Sequence, residues 1–199
     1  YLELANLLFD RAVQTTPPGG ADLKAAKETC ERLIGAEIRD YFRLNECDSL
    51  KKDHPLVSLP PKVGILYPIL LPDGTLLKIL LNLEDGLHPF QVDVTGKKVI
   101  EEVARFSKNL SVSPNKLSGK QKDDYRQPAA KLYQWLIAPV ETTLKSHHID
   151  TLVIVPDGKL RTIPFAAFYD DVAKQFLIQK YAVAVIQGLE ITDGTKPHW

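Results

Sequence analysis

The 199-residue chain contains no methionine, only two cysteines and no excess of either charge. Two thiols, Cys30 and Cys47, are too few for a disulfide framework, and both fall in helix-like surroundings. A reducing, cytoplasmic setting is therefore expected. Lys plus Arg equals Asp plus Glu at 25 each, so no global field draws the chain to nucleic acid or an anionic membrane. No apolar run is long enough to cross a bilayer, and no signal peptide is visible. Gly-rich phosphate loops and a Gly-x-Ser-x-Gly elbow are also absent, which removes two common nucleotide-binding and serine-hydrolase signals. The lack of Met, the start at Tyr1 and the polar tail from Thr192 to Trp199 lead us to expect a piece of a longer polypeptide.

What is present is ordinary globular material, 44% hydrophobic and 25% charged, enough for one core or one core plus an extension. Leu4, Leu7, Leu8 and Val13 recur at helical spacing over Leu2 to Thr15. Thr16-Pro17-Pro18-Gly19-Gly20 stops that helix, and Ala21 to about Cys47 forms a second. Its expected apolar face is Ala25, Leu33, Ile34, Ile38, Tyr41 and Phe42, giving a helical hairpin that needs a neighbour. Asp48 to Pro61 reads as a connector. Val63 to Leu71, Thr75 to Leu83 and Leu87 to Thr95 read as strands, separated by Pro72-Asp73-Gly74 and Glu84-Asp85-Gly86. Asp-Gly between apolar runs is a strong hairpin signal, so an antiparallel meander is expected. Pro68 and Pro89 fit best at sheet edges or irregular spots.

A helix is predicted over about Lys97 to Leu110, with Val99, Ile100, Val103, Phe106 and Leu110 on one face. Ser111 to Lys122 is a polar loop. Asp123 to His147 reads as the longest helix, with a stripe of Leu132, Trp135, Leu136, Val140 and Leu144 and a kink at Pro139. Leu152 to Val155 is wholly apolar, as in a strand buried on both faces.

Chemistry-bearing residues are few. Asp157-Gly158 followed by Leu160, Arg161 and Pro164 reads most simply as a strand, a tight turn and a return strand, with Arg161 pairing a carboxylate or a carbonyl. The sharper alternative sets the planar fork of Arg161 against a ligand carboxylate. His147 and His148 suit the negative end of a helix dipole. A metal site from this pair with Asp150 is disfavoured, since adjacent helical residues point apart and no CxxC or HxxxH spacing is present. His54 and His88 flank prolines and show no evident partner, and His198 lies in the tail. No cofactor or metal is expected. Cys30 and Cys47 read as structural or surface thiols, with no His near in sequence. Tyr41, Phe42, Tyr133, Trp135, Phe165 and Phe168 read as core.

Four segments in order resemble the CHAT domain, a caspase-like domain associated with tetratricopeptide repeats. They are Ala36 to Arg43, then Ile65 to Leu71, then Leu132 to Val140, then Thr151 to Phe168 with Leu177 to Val183. The resemblance implies a caspase-like α/β fold: a helical hairpin, an antiparallel meander, helices and the first strands of a caspase-like sheet. It implies a helical lead-in over 1–49, as at the end of a repeat array, and the N-terminal portion of the domain over 55–199. In active members a Cys-His dyad cleaves peptide bonds. The family's His lies in a His-Gly context and its Cys follows a later apolar strand. Neither occurs here, so no catalytic residue is carried over. The implied function is the N-terminal part of a cysteine peptidase whose dyad lies beyond this chain, with a protein substrate or regulatory protein as partner and repeats upstream. The alternative is a non-catalytic interaction module tied to a helical repeat array.

Overall fold

Helices pack on both faces of a five-stranded mixed sheet. The computed structural model describes residues 2–15, 20–42, 59–70, 76–111 and 125–186. Outside these lie the break at 16–19, most of the 48–61 connector, the Pro72-Asp73-Gly74 turn, the 112–122 loop, the tail, Cys47, His54 and His198.

Helices α1 (Leu2–Val13) and α2 (Gly20–Phe42) form the hairpin. Strands β1 (Val63–Ile69), β2 (Leu76–Leu83) and β3 (Gly86–Thr95) form the antiparallel meander. Next come α3 (Gly96–Leu110), α4 (Arg126–Leu136), α5 (Ala138–Ser146) and β4 (Thr151–Ile154). Two 3₁₀ turns, Gly158–Thr162 and Phe165–Ala167, lead to the small hairpin β5 (Tyr169–Asp170) and β6 (Gln175–Phe176). The short α6 (Leu177–Lys180) and β7 (Ala182–Val185) follow. The sheet order is β3-β2-β1-β4-β7, with β4 parallel to both its neighbours.

Burial on both faces explains why β1 and β2 are dominated by consecutive apolar residues rather than alternating ones, with Lys78 and Asn82 the polar exceptions in β2. Leu66, Ile79, Leu81, Leu152 and Ile154 meet α3, α4 and α5 on one face. Ile65, Tyr67, Leu80 and Val155 meet Phe9, Ala12 and Leu23 of the hairpin on the other. Lys78 shares this second face with Leu80 and is only 2% exposed. Its ammonium reaches Asp10 at 2.5 Å and Asn6, and lies 5.1 Å from the Phe9 ring centre. The Tyr67 hydroxyl donates to Glu31 at 2.8 Å, so α1 and α2 are each tied to the sheet by a polar anchor. Gly64 is needed for close approach, because a Cβ there would stand 3.1 Å from Leu83 Cδ2.

Several expectations are corrected. The inward face of α1 is Ala5, Phe9 and Ala12, whereas Leu4 and Leu7 are 50% and 64% exposed. In α2 it is Leu23, Ala26 and Cys30 that are buried, with Ala25 and Leu33 only half-buried. On α3, Ile100 and Leu110 are exposed while Val99, Val103 and Phe106 are buried. Small residues let a helix approach a sheet, so the wetter leucines face out. The expected helix over 123–147 is two helices divided at Ile137, with Pro139 in the first turn of α5. A helix start has free N–H groups, so Pro costs little there and much in an interior. Pro89 lies on the edge strand β3, as anticipated, but Pro68 is in the interior strand β1. Leu66 accepts from the Val155 N–H at 2.9 Å, and backbone direction repeats every second residue, so the Pro68 nitrogen faces the β4 side beyond that strand's end. The return strand after Asp157-Gly158 is a 3₁₀ turn, since parallel neighbours already flank β4.

The end of α5 is closed by a Schellman motif. The Ile149 N–H donates to Leu144 and the His148 N–H to Lys145, with His148 at φ 52°. A Cβ in that region costs about 1–2 kcal/mol, which glycine avoids. His148→Gly is therefore expected to stabilise by about 0.5–1 kcal/mol after glycine's larger unfolded-state entropy is subtracted. A thermal melt checks this, and a lower Tm would refute it.

Candidate functional site

In open α/β sheets, ligands gather outside the carboxyl ends of the parallel strands. Here that end is formed where β4 runs through Val155 into Pro156–Thr162. Arg161 sits on the 3₁₀ turn, half-buried, and its Nε donates to the Pro156 carbonyl at 3.2 Å. Asp157 shares a small crevice with Cys30, Tyr67, Ile69 and Val155. Gly158 takes φ 47° at the turn, Leu160 is buried in the core beside Ile163 and Phe165, and Pro164 is exposed. Four of the five motif residues thus line one loop surface and the fifth, Leu160, anchors it from beneath.

Cys30 approaches this loop from α2. Burial first, then the negative charges of Asp157 and Glu31, push its thiol up to about 12. A thiol held protonated at neutral pH is a poor nucleophile, so Cys30 serves packing rather than attack.

A larger groove, about 810 Å³, opens between α4–α5 and the β5–β6 hairpin. Lys180 at the end of α6 organises it. Its Nζ donates to the Tyr133 hydroxyl at 2.8 Å, to Glu141 at 2.6 Å and to Asp170. The other Asp170 oxygen accepts the Val172 and Ala173 N–H groups at 2.8 and 3.0 Å, which shapes the hairpin turn. Burial alone would push Asp170 up. The Lys180 and backbone hydrogen bonds outweigh it and hold the carboxyl at about 2. Burial likewise opposes the charge on Glu141 and Lys180. Their mutual hydrogen bonds win, so Glu141 lies below and Lys180 above its ordinary range. Nothing in the sequence pattern marks this node, because its partners are 10, 39 and 47 residues away from Lys180.

A third constellation joins the β2–β3 turn to the end of α5. Asp85 Oδ1 lies 2.9 Å from His88 Nε2, and Oδ2 lies 3.0 Å from His147 Nε2. His147 Nδ1 is 2.9 Å from the Thr143 carbonyl. That contact, then Asp85, raises the His147 pKa, while Asp85 is lowered chiefly by His88. His88 stands on β3 and does have a partner, contrary to expectation. Asp150 is not part of this group and instead lies 3.8 Å from Lys62.

No helix among the described residues is long and apolar enough to cross a membrane. No curated protein matches the chain in sequence. Residues 126–198, from α4 through β7 and onward, match the family model of the CHAT domain.

Proposed function

We propose that this chain supplies the first part of a CHAT-type caspase-like cysteine peptidase, with the Cys-His dyad contributed by residues outside it. Residues 1–49 would be the helical lead-in, following tetratricopeptide repeats, and 55–199 the N-terminal portion of the domain. The observation that carries this reading is the position of β4 between parallel neighbours inside the segment that matches the family. Strand β7 supports it, since among the described residues its outer edge pairs with no strand, and Val185 is exposed. Such an edge is ready to receive further strands. Arg161, at the carboxyl end of β4, is the residue we assign to a carboxylate of a protein substrate. Asp157, Gly158, Leu160 and Pro164 hold its loop, and the cytoplasm is the proposed compartment. The test is peptide cleavage by a longer polypeptide containing this chain, alongside a form with its later cysteine replaced. Equal cleavage by both removes the peptidase reading.

A second reading, a non-catalytic module that docks a partner protein or repeat array, is favoured by the exposed Leu4, Leu7 and Val13 of α1. Light scattering decides this one: a monomer that binds no repeat segment counts against it.

A further inference from the structure

We propose that Asp85, His88 and His147 form a binding site for a single Zn²⁺ ion that clips the β2–β3 turn to the end of α5. The site lies apart from the peptidase reading and does not depend on it. One donor atom from each residue falls within 4.8 Å of the other two. Ligands about 2.0–2.2 Å from a tetrahedral ion stand about 3.3–3.6 Å from one another. Asp85 brings both imidazoles to one carboxylate in contacts of 2.9 Å, from His88 at Oδ1, and 3.0 Å, from His147 at Oδ2. Small side-chain rotations, with no backbone movement, would open them and admit an ion.

The local structure presents these donors rather than merely permitting them. Asp85 is on the two-residue turn between Leu83 and Gly86, whose φ of 134° suits only glycine well. His88 follows three residues later on the edge strand, so its ring stands beside the turn. His147 caps α5, and its Nδ1–H engages the Thr143 carbonyl, while the Nε2 proton it shares with Asp85 would be displaced by the ion, which makes Nε2 the ligating nitrogen. A backbone carbonyl on the far nitrogen is the usual device that orients a metal-bound histidine. The rings of His88 and His147 meet edge to face at 5.6 Å between centres, so both Nε2 atoms approach the carboxylate without stacking.

The donor set selects the ion. Two imidazoles and one carboxylate suit Zn²⁺ and its transition-metal neighbours, whereas Ca²⁺ and Mg²⁺ require oxygen ligands. The Asp85 side chain is half exposed, so a fourth position would be taken by water. The expected role is a cross-link between segments 59 residues apart, from His88 to His147.

The test uses the whole chain, stripped with a chelator and titrated with zinc sulfate by calorimetry, with magnesium as a control. One ion per chain is expected, and zinc at about a hundred times its dissociation constant should raise Tm by about 5–10 °C. His88→Gln, on the edge strand and outside the core, should weaken binding at least a hundredfold, as should His147→Ala. His148→Ala, whose ring is outside the site, should bind as the parent does. Parent and His88→Gln binding zinc alike, no saturable binding by the parent, or equal loss in His148→Ala would each overturn the proposal.

Discussion

Lys180→Ala is expected to destabilise the fold by about 3 kcal/mol, near the low end for stripping one partner from a buried ion pair. The low end applies because the adjoining groove admits water. The substitution leaves Asp170 and Glu141, whose side chains are 10% and 14% exposed, without their shared cation. It also removes a cation 5.0 Å from the Tyr133 ring centre. The pH dependence provides a second readout. Asp170 and Glu141 are depressed in the fold, so the unfolded chain binds more protons in acid. Their stabilisation is complete above the ordinary carboxylate range of about 4 and is lost as the pH falls towards about 2, the folded value of Asp170. Lys180 is raised, so its contribution is complete below about 10.5 and is lost only above that. In Lys180→Ala, burial is no longer outweighed by the ammonium, and the acid limb should shrink. Urea unfolding at pH 7 and pH 3 measures both effects. A difference below about 1 kcal/mol at pH 7, with an unchanged acid limb, would show that the node is solvated and inert. Combining Lys180→Met with Glu141→Gln and Asp170→Asn should recover much of the loss, because the penalty comes from unpaired charge.

Phe168→Ala should cost about 3–5 kcal/mol, the range for emptying a buried aromatic site. Phe168 is fully buried, 5.0 Å from the Phe165 ring centre and 6.0 Å from that of Phe106. It fastens the segment after β4 to α3, and its N–H and carbonyl bond Phe165 and Leu177. Phe106 and Phe165 are themselves fully buried and have little room to collapse into the gap. Phe168→Leu should cost less than half as much, since most of the volume is retained. The urea midpoint reports the change, and an unchanged m-value shows that it acts on the folded state. A loss under about 1 kcal/mol would mean that the 3₁₀ segment is not part of the cooperative core.

Local signals were readable where chemistry is local. Glu84-Asp85-Gly86 marked the β2–β3 hairpin because only glycine takes that backbone angle without strain. The apolar runs beginning at Val63 and Thr75 marked strands, and the wholly apolar Leu152–Val155 marked one buried on both faces. Pro139 marked a disruption, but not whether it would be a kink or a fresh helix start. The face of α1 was misassigned because leucine counts outweighed small residues, while contact with the sheet rewards Ala5 and Ala12, which let Phe9 reach Tyr67 and Leu80.

The residue order alone determined most element types, the Glu84-Asp85-Gly86 hairpin, the interior character of β4 and the likeness to a CHAT domain, because each depends on neighbours a few positions apart. Tertiary structure decided the rest. It placed β4 beside β1 and β7, gathered Lys180 with Tyr133, Glu141 and Asp170, and brought His147 to Asp85 and His88. Those meetings join residues up to 88 positions apart, as Val63 and Thr151 are. No period or motif encodes such contacts, since they follow from how layers pack once the apolar faces have found one another.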